Sequence, residues 1–169
     1  VGVIGLGLIG QITVQILNAY GFQVFGFDIN ENQVKKALAL GLRHGAVIGK
    51  DDIEKFISYL TNDNGVDSVI ITAATQSNEP IELAGKICRN RGKVSVVGAV
   101  RMDIPRNLYY EKEINLIVSK SYGPGRYDPN YEEKGFDYPI AYVRWTEKRN
   151  MEEFLRLMSA GRLDVKSMI

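Results

Sequence analysis

Three closely spaced glycines, Gly5, Gly7 and Gly10, and an aspartate at position 28 are the residues whose types and spacing most clearly suggest chemistry. The glycines follow an apolar start, Val1 to Ile4, and lead into a helical pattern. Gly5 allows the chain to turn sharply out of a strand, Gly7 leaves the backbone bare, and Gly10 lets a helix lie close to a sheet. The free N–H groups of Leu8 and Ile9 then face an anion whose charge the helix dipole favours. Asp28 ends a second apolar run, Phe22 to Phe27, and Ile29 follows it on the same edge. Its carboxylate can accept hydrogen bonds from both hydroxyls of a ribose, and it repels a 2′-phosphate. No basic residue follows until Lys35. Strand, turn, helix, strand and acid in this order form a dinucleotide-binding fingerprint, with NAD expected rather than NADP.

The elements that must position these residues alternate along the chain. A helix is expected over Leu8 to Tyr20, with Ile9, Ile12, Ile16 and Leu17 on one face and Gly21 as its stop. Asn30, with Gln33 three residues on, caps a helix running to about Leu40, and Gly45 to Gly49 reads as a third strand. Asp51 with Glu54 caps a helix that buries Ile53, Phe56, Ile57 and Leu60. Val66 to Thr72 is a fourth strand. Ser77 or Asn78 then caps a helix with Pro80 in its first turn, ending near Arg91-Gly92. Lys93 to Val97 and Ile114 to Ser119 supply strands five and six. Asn150 with Glu153 caps a last helix, with Met151, Phe154, Leu155 and Met158 facing inward. Nearly continuous Val and Ile in each strand argue for an α/β fold, a doubly wound parallel six-stranded sheet covered on both faces. The ends of the fourth and fifth strands, Thr72-Ala73-Ala74 and Val97-Gly98-Ala99, are expected to line the crevice at the carboxyl edge, where small residues leave room for adenine and nicotinamide.

A chain of 169 residues, 45% hydrophobic and 24% charged, is one ordinary globular domain. A net charge of +1 with no block of one sign gives no electrostatic reason to expect nucleic acid or an acidic membrane as partner. No apolar run approaches the ~18 residues of a membrane span, and a cytoplasmic enzyme domain is the default. The first strand begins at residue 1 without an initiator Met, which reads as one domain cut from a larger enzyme.

The remaining reactive residues have simpler readings. The single His44 lies in a connection away from the crevice, and the single Cys88 falls on a helix as buried packing; together they are a poor start for a zinc site. The paired acids Asp51-Asp52 serve helix capping, and Tyr109 to Glu113 reads as a solvated helical face. Ser119 to Trp145 is long, aromatic and without helical period. Such a segment either contacts ligand or meets a further domain or subunit.

The segments Val3 to Gln15, Phe25 to Asp28 and Gly92 to Gly98 resemble the medium-chain dehydrogenase/reductase superfamily, the zinc-type alcohol dehydrogenase relatives. Thr72 to Pro80, Tyr109 to Glu113 and Ser121 to Asp137 are similar to the branch found at the front of two-part bacterial oxidoreductases. The resemblance implies a two-lobed, hydride-transferring enzyme whose GroES-like catalytic lobe is absent from this chain. It also places any zinc in that lobe, gives an alcohol or carbonyl substrate related to sugars, and implies homodimers that pair through the sixth strand, Ile114 to Ser119. It adds Ser121 and Arg126 to the cofactor-binding residues, although Lys120 and Pro124-Gly125 alter the pattern around them, and Gln33 stands where many relatives have Lys. No catalytic residue is expected here, and the chain alone is expected to bind cofactor weakly and turn nothing over.

From the residues themselves, two other classes stay open: a methyltransferase using S-adenosylmethionine, which also needs a glycine turn and a ribose-reading acid, and a non-catalytic nucleotide sensor. Thermal unfolding with each ligand separates the first, because only a ligand that binds the native state raises the melting temperature. NADH is expected to raise it and S-adenosylmethionine to leave it unchanged; the reverse result overturns the dinucleotide reading.

Overall fold

Residues 1–168 are described by a computed structural model. Six short strands, β1 (Gly2–Ile4), β2 (Phe25–Asp28), β3 (His44–Val47), β4 (Val66–Ile71), β5 (Cys88–Val96) and β6 (Asn115–Val118), form one sheet in the order β3-β2-β1-β4-β5-β6. All pairs are parallel. The order reverses direction between β1 and β4, the switch point outside which ligands bind in open α/β sheets. The expected six-stranded doubly wound sheet is therefore the observed one.

Alternate residues of β1 serve opposite faces, as the two-residue period of a strand requires. Val3 joins Leu6, Val14, Val34 and Leu42 in a core under helices α1 (Leu8–Ala19) and α2 (Glu31–Ala39). Ile4 joins Phe27, Ile57, Ile71, Ile81 and Val94 in a larger core under α3 (Ile53–Thr61), α4 (Glu79–Ile87) and α5 (Arg106–Glu111). Two later helices, the short α6 (Pro129–Glu132) and the longer α7 (Glu147–Ser159), follow β6.

Several local expectations are corrected by packing. Helix α1 buries Gly10, Gln11, Val14 and Gln15, whereas Ile9 is half exposed and Ile12, Ile16 and Leu17 are only partly covered. The close approach of Gly10 to the Gly5 carbonyl sets the rotation of this helix, so two glutamines face inward in place of the isoleucines. Both find partners there. Gln15 donates to the Asp164 carbonyl and accepts from the Asp164 N–H, fastening the end of the chain to α1.

Strand β2 begins later than Phe22, which is exposed, and β3 spans His44–Val47 instead of Gly45 to Gly49. Asp52 is the residue that caps α3, its side chain accepting from the Lys55 N–H. Asp51 instead accepts from Val47 N–H and closes the preceding turn. Neither candidate for the α4 cap acts through the expected geometry: Asn78 occupies the cap but turns its side chain to Asp103 and Glu82 instead of the helix N–H groups, and Ser77 Oγ accepts from Glu79 N–H.

Helix α4 stops at Ile87, not near Arg91, and Cys88 belongs to β5, paired with Val66. A bulge at Arg89 to Gly92 follows, with Arg91 at φ 56°. The end of α4 is capped by Lys112, whose Nζ donates to the carbonyls of Gly85, Lys86 and Cys88 at 2.7–2.9 Å. Desolvation there holds the Lys112 ammonium below its ordinary pKa. Tyr109 is likewise no solvated residue: it is buried, and its hydroxyl donates to the Ile81 carbonyl at 2.9 Å. Thr146, fully buried, caps α7 in place of Asn150, and Leu157 is its buried residue, while Met151 and Leu155 are exposed.

The Lys112 clamp generates a test. Lys112→Met keeps the aliphatic stem but leaves three carbonyls without their donor, and the partial exposure of the site lets water replace part of the loss. Urea unfolding is expected to show a destabilisation of about 1–2 kcal/mol. An unchanged midpoint would mean that water caps α4 equally well.

Candidate functional site

At the carboxyl end of β1 the chain turns through Gly5, whose φ of +94° belongs to the left-handed region. Its N–H donates to the Phe27 carbonyl at 2.8 Å, tying the turn to β2. A Cβ at Gly5 would lie 2.6 Å from the Ala73 backbone nitrogen, and one at Gly10 would lie 1.9 Å from the Gly5 carbonyl oxygen. These two glycines are required by the protein's own backbone. Gly7 differs: it has ordinary extended-region torsions, and a Cβ there would meet nothing within 4 Å. The open space beside it is the kind of cradle that a phosphate would fill.

Gly7 is the N-cap of α1 and supplies no side-chain cap. Among the described residues the N–H groups of Gly7, Leu8 and Ile9 meet no acceptor, while the helix's own bonding begins with Gln11 N–H to the Gly7 carbonyl. Unsatisfied N–H groups and the positive end of the helix dipole are together an anion-binding arrangement. Across the turn, Asp28 accepts from Leu6 N–H at 2.6 Å through Oδ2 and from Asn30 N–H at 2.7 Å through Oδ1. Two backbone donors thus fix the carboxylate's orientation, and each oxygen keeps a lone pair for an incoming hydroxyl.

Gly7 and Asp28 border one hollow of about 740 Å³, inside the range of roughly 300–1,000 Å³ usual for small-molecule sites. It brings together seven of the expected residues: Gly5, Gly7, Asp28, Ile29, Thr72, Ala73 and Ala74. Ile48 and Gly49 beyond β3, with Pro80 and Leu83 on α4, form apolar walls, and Gln33 stands at the ribose end. Gln33 stands out in the sequence, whereas Ile48, Gly49, Pro80 and Leu83 were not expected at the site, although the rule that every strand contributes its carboxyl end would have pointed to Ile48.

The other expected residues lie elsewhere. Gly10 is behind the turn, and the side chains of Leu8 and Ile9 project into solvent. The Val97-Gly98-Ala99 triplet does not line the hollow. It is spliced to the end of β4, with Val97 and Gly98 N–H on the Ile71 carbonyl and Thr75 N–H on the Ala99 carbonyl. A Cβ at Gly98 would sit 2.0 Å from the Ala73 carbonyl oxygen, so its small size serves this splice. Ser121 is exposed. Arg126 is paired with Glu132 and flanked by the rings of Tyr127 and Tyr122 at 4.3 and 5.4 Å, with its Nε buried and unpartnered.

Gln11 was missed altogether. It is 2% exposed, and its Nε2 donates to the carbonyls of Leu6 at 2.8 Å and Gln33 at 3.0 Å. Its Oε1 is buried without a partner, an arrangement that costs about 1–3 kcal/mol.

His44 stacks on Phe25 with ring centroids 5.3 Å apart and borders a separate hollow of about 570 Å³ at the opposite, amino edge of the sheet. Cys88 is buried, and burial pushes its thiol above the ordinary pKa. Among the described residues no three His, Cys, Asp or Glu side chains come together in a way that could hold a metal ion. These residues do not fit a zinc site. No helix among the described residues is long and apolar enough to cross a membrane.

Residues 9–133 match a protein-family model described as zinc-binding dehydrogenase. A sorbitol dehydrogenase from Halalkalibacterium halodurans is 29% identical over 134 residues, covering 75% of this chain and 38% of that protein. Among solved structures, an Escherichia coli oxidoreductase of unknown specificity involved in membrane biogenesis superposes with a TM-score of 0.75 at 24% identity, over 99% of this chain and 41% of its own. D-arabinose dehydrogenase from Sulfolobus solfataricus gives a TM-score of 0.74 at 20% identity, over 96% of this chain and 43% of its own. The chain therefore spans about two fifths of the length of each, and the structural likenesses carry the fold.

The contrast among the three glycines is testable. Gly7→Ala is expected to unfold within about 0.5 kcal/mol of the parent, since its Cβ meets nothing, yet to weaken NADH binding. Gly5→Ala and Gly10→Ala are expected to cost more than about 2 kcal/mol, from a left-handed backbone in one case and overlap with backbone in both. Thermal melts with and without NADH read both effects. A Gly7→Ala protein that binds as the parent does would remove the phosphate from this turn.

Proposed function

The chain belongs to the zinc-binding dehydrogenase family, and from that premise we propose that it is the NAD(H)-binding domain of a two-lobed, alcohol dehydrogenase-like oxidoreductase. The observation that carries this reading is the Asp28 carboxylate, held by Leu6 N–H and Asn30 N–H on the rim of the same hollow that Gly7 leaves open. One group is suited to a ribose and the other to a pyrophosphate, at the switch point of the sheet. Nothing in the fold or the family favours the methyltransferase or sensor alternatives.

In this reading the N–H groups of Gly7, Leu8 and Ile9 hold the pyrophosphate. Asp28 accepts from the adenosine ribose, and Ile48, Pro80 and Leu83 cover the adenine. The small side chains of Ala73 and Ala74 leave the carboxyl edge of β4 open for the rest of the dinucleotide. A bound nicotinamide supplies hydride exchange with an alcohol or carbonyl carbon. The contribution of these residues is to fix the cofactor and keep its adenosine end still; orienting the substrate and moving its proton falls to a second lobe. The share of each relative that this chain covers, 38–43%, supports that division. The names of the relatives support an alcohol of the polyol or sugar kind as the substrate class.

The preference for NAD over NADP follows from charge. A 2′-phosphate would enter beside a carboxylate, and the nearest cations do not compensate it, because Lys35 and Lys50 both pair with Glu31. Those pairings hold the Glu31 carboxyl at about 2, well under the usual carboxylate range. We further propose a cytoplasmic homodimer formed through β6. Its outer edge is unpaired in the sheet order and exposes Ile117 and Val118, a template for a second copy.

Asp28→Asn keeps the shape and one acceptor while removing the charge. NADH affinity is expected to fall about tenfold and NADPH affinity to rise, so that the ratio between them collapses. Fluorescence titration of both cofactors reads the ratio; an unchanged ratio would remove Asp28 from the ribose.

A further inference from the structure

We propose that Gln11 is a positioning residue of the cofactor site, orienting the Leu6–Gly7 peptide so that the Gly7 N–H faces the space where phosphate binds. The proposal rests on the dinucleotide reading given above and assigns to one buried side chain a task that the glycine turn cannot perform alone.

The argument begins with the peptide plane. All peptide bonds among the described residues are trans, and in a trans peptide the carbonyl and the following N–H point in opposite directions. The Leu6 carbonyl points inward, because Gln11 Nε2 donates to it at 2.8 Å in the interior. The Gly7 N–H of the same plane must then point outward. It has no acceptor among the described residues, and Gly7 lines the hollow with nothing within 4 Å of where its Cβ would be. Glycine is the residue most able to rotate such a plane. Without a lock, this one could turn its N–H away.

The lock itself is held. The second hydrogen of Gln11 Nε2 goes to the Gln33 carbonyl at 3.0 Å, on the helix that begins beside Asp28. Both donors are therefore committed, one to the phosphate turn and one to the ribose side, and the amide cannot rotate without breaking both. Its Oε1 is left buried and unpartnered. An inward-facing glutamine on the first turn of a helix that also buries Gly10, Val14 and Gln15 leaves its own Oε1 unpaired, where an apolar residue of equal length would leave the Leu6 carbonyl without a donor. What the glutamine adds is the two carbonyl contacts. Asp28, by contrast, is oriented by Leu6 N–H and Asn30 N–H without any help from Gln11. Losing Gln11 should accordingly damage phosphate binding and spare the recognition of the nucleoside.

The experiment compares two probes in the parent protein and in Gln11→Met, which matches the side chain in length and lacks its donors. NADH is titrated by fluorescence and adenosine by NMR, with thermal unfolding recorded alongside. NADH affinity is expected to fall about tenfold in Gln11→Met, the size of one lost hydrogen bond to a charged group, while adenosine affinity changes less than about twofold. Gln11→Asn keeps an amide one methylene too short to reach both carbonyls and gives the same split; it serves as the test where Gln11→Met does not fold. Equal loss for both probes, or a folded variant that binds NADH as the parent does, overturns the positioning role and leaves Gln11 as packing. Failure of the parent protein to bind NADH would instead overturn the dinucleotide reading on which the proposal stands.

Discussion

Backbone meets backbone at the carboxyl edge of this sheet, and the rest of the structure is arranged around that contact. The end of β1, the start of α1 and the ends of β4 and β5 converge within a space that admits no side chain. A Cβ would fall 1.9 Å from a carbonyl oxygen at Gly10 and 2.0 Å from one at Gly98. Gly5 sits between them with its carbonyl accepting from the Thr72 hydroxyl and its N–H bonded to Phe27. Such close approach lets α1 lie directly over β1, and it fixes the rotation of that helix. The inward positions of Gln11, Val14 and Gln15 follow from that rotation rather than from the hydrophobic pattern of the helix.

The same contact divides the glycines by what each one serves. Gly5, Gly10 and Gly98 are small because protein atoms crowd them, whereas Gly7 is small with nothing beside it. A fold under selection only for stability has no use for an uncrowded glycine at the cap of its first helix. Glycine there costs conformational entropy, and a Ser or Asp would cap the helix through its side chain. Gly7 is therefore the position at which the turn gives up stability, and the space it leaves opens into the hollow that Asp28 borders. Gln11 repeats the pattern in the interior, where a buried acceptor is left unpaired so that two donors can hold carbonyls on either side of the turn. One departure from what the fold alone would choose thus lies on the rim of the cavity, at Gly7, and the other lies directly behind it, at Gln11.

Reading the sequence recovered what is local and periodic. The glycine turn, the acid at the end of β2 and the alternation of elements depend on neighbours in the chain, and the parallel sheet follows from strands without polar alternation. What escaped depends on partners distant in sequence. Asn150 looked like a cap for α7, but Thr146 takes that role, fully buried and bonded through its hydroxyl to Tyr131. Cys88 continues the apolar spacing of α4, one turn on from Ala84. Lys112, from the far end of α5, caps the helix at Ile87 and releases Cys88 into β5. Tyr109 sat in a charged stretch that reads as solvated, yet a carbonyl on α4 takes its hydroxyl into the core. Within the site, Asp28 was legible because a carboxylate at that spacing has few other uses. Gln11 was not, since a glutamine in a helix is ordinarily a surface residue.

Arg126 shows how a resemblance can locate a residue without settling what it does. Its place after β6 suggests contact with cofactor, but its guanidinium is committed to Glu132 on α6 and lies against the rings of Tyr127 and Tyr122. The segment around it is tied to itself and to α7. Tyr131 bonds Thr146, Tyr138 bonds Asp128, Arg149 reaches Asp137 and the Val143 carbonyl, and Asn150 holds the Tyr122 carbonyl. Backbone without regular pairing has to satisfy its polar groups in some other way, and here side chains of the segment and of α7 do so. The long aromatic stretch is therefore an ordered cap built on α7, not a loose connection, and Tyr122, Tyr127, Tyr142 and Trp145 stand exposed on a framework that holds them in place. Rigid aromatics presented this way lose little entropy when another surface covers them.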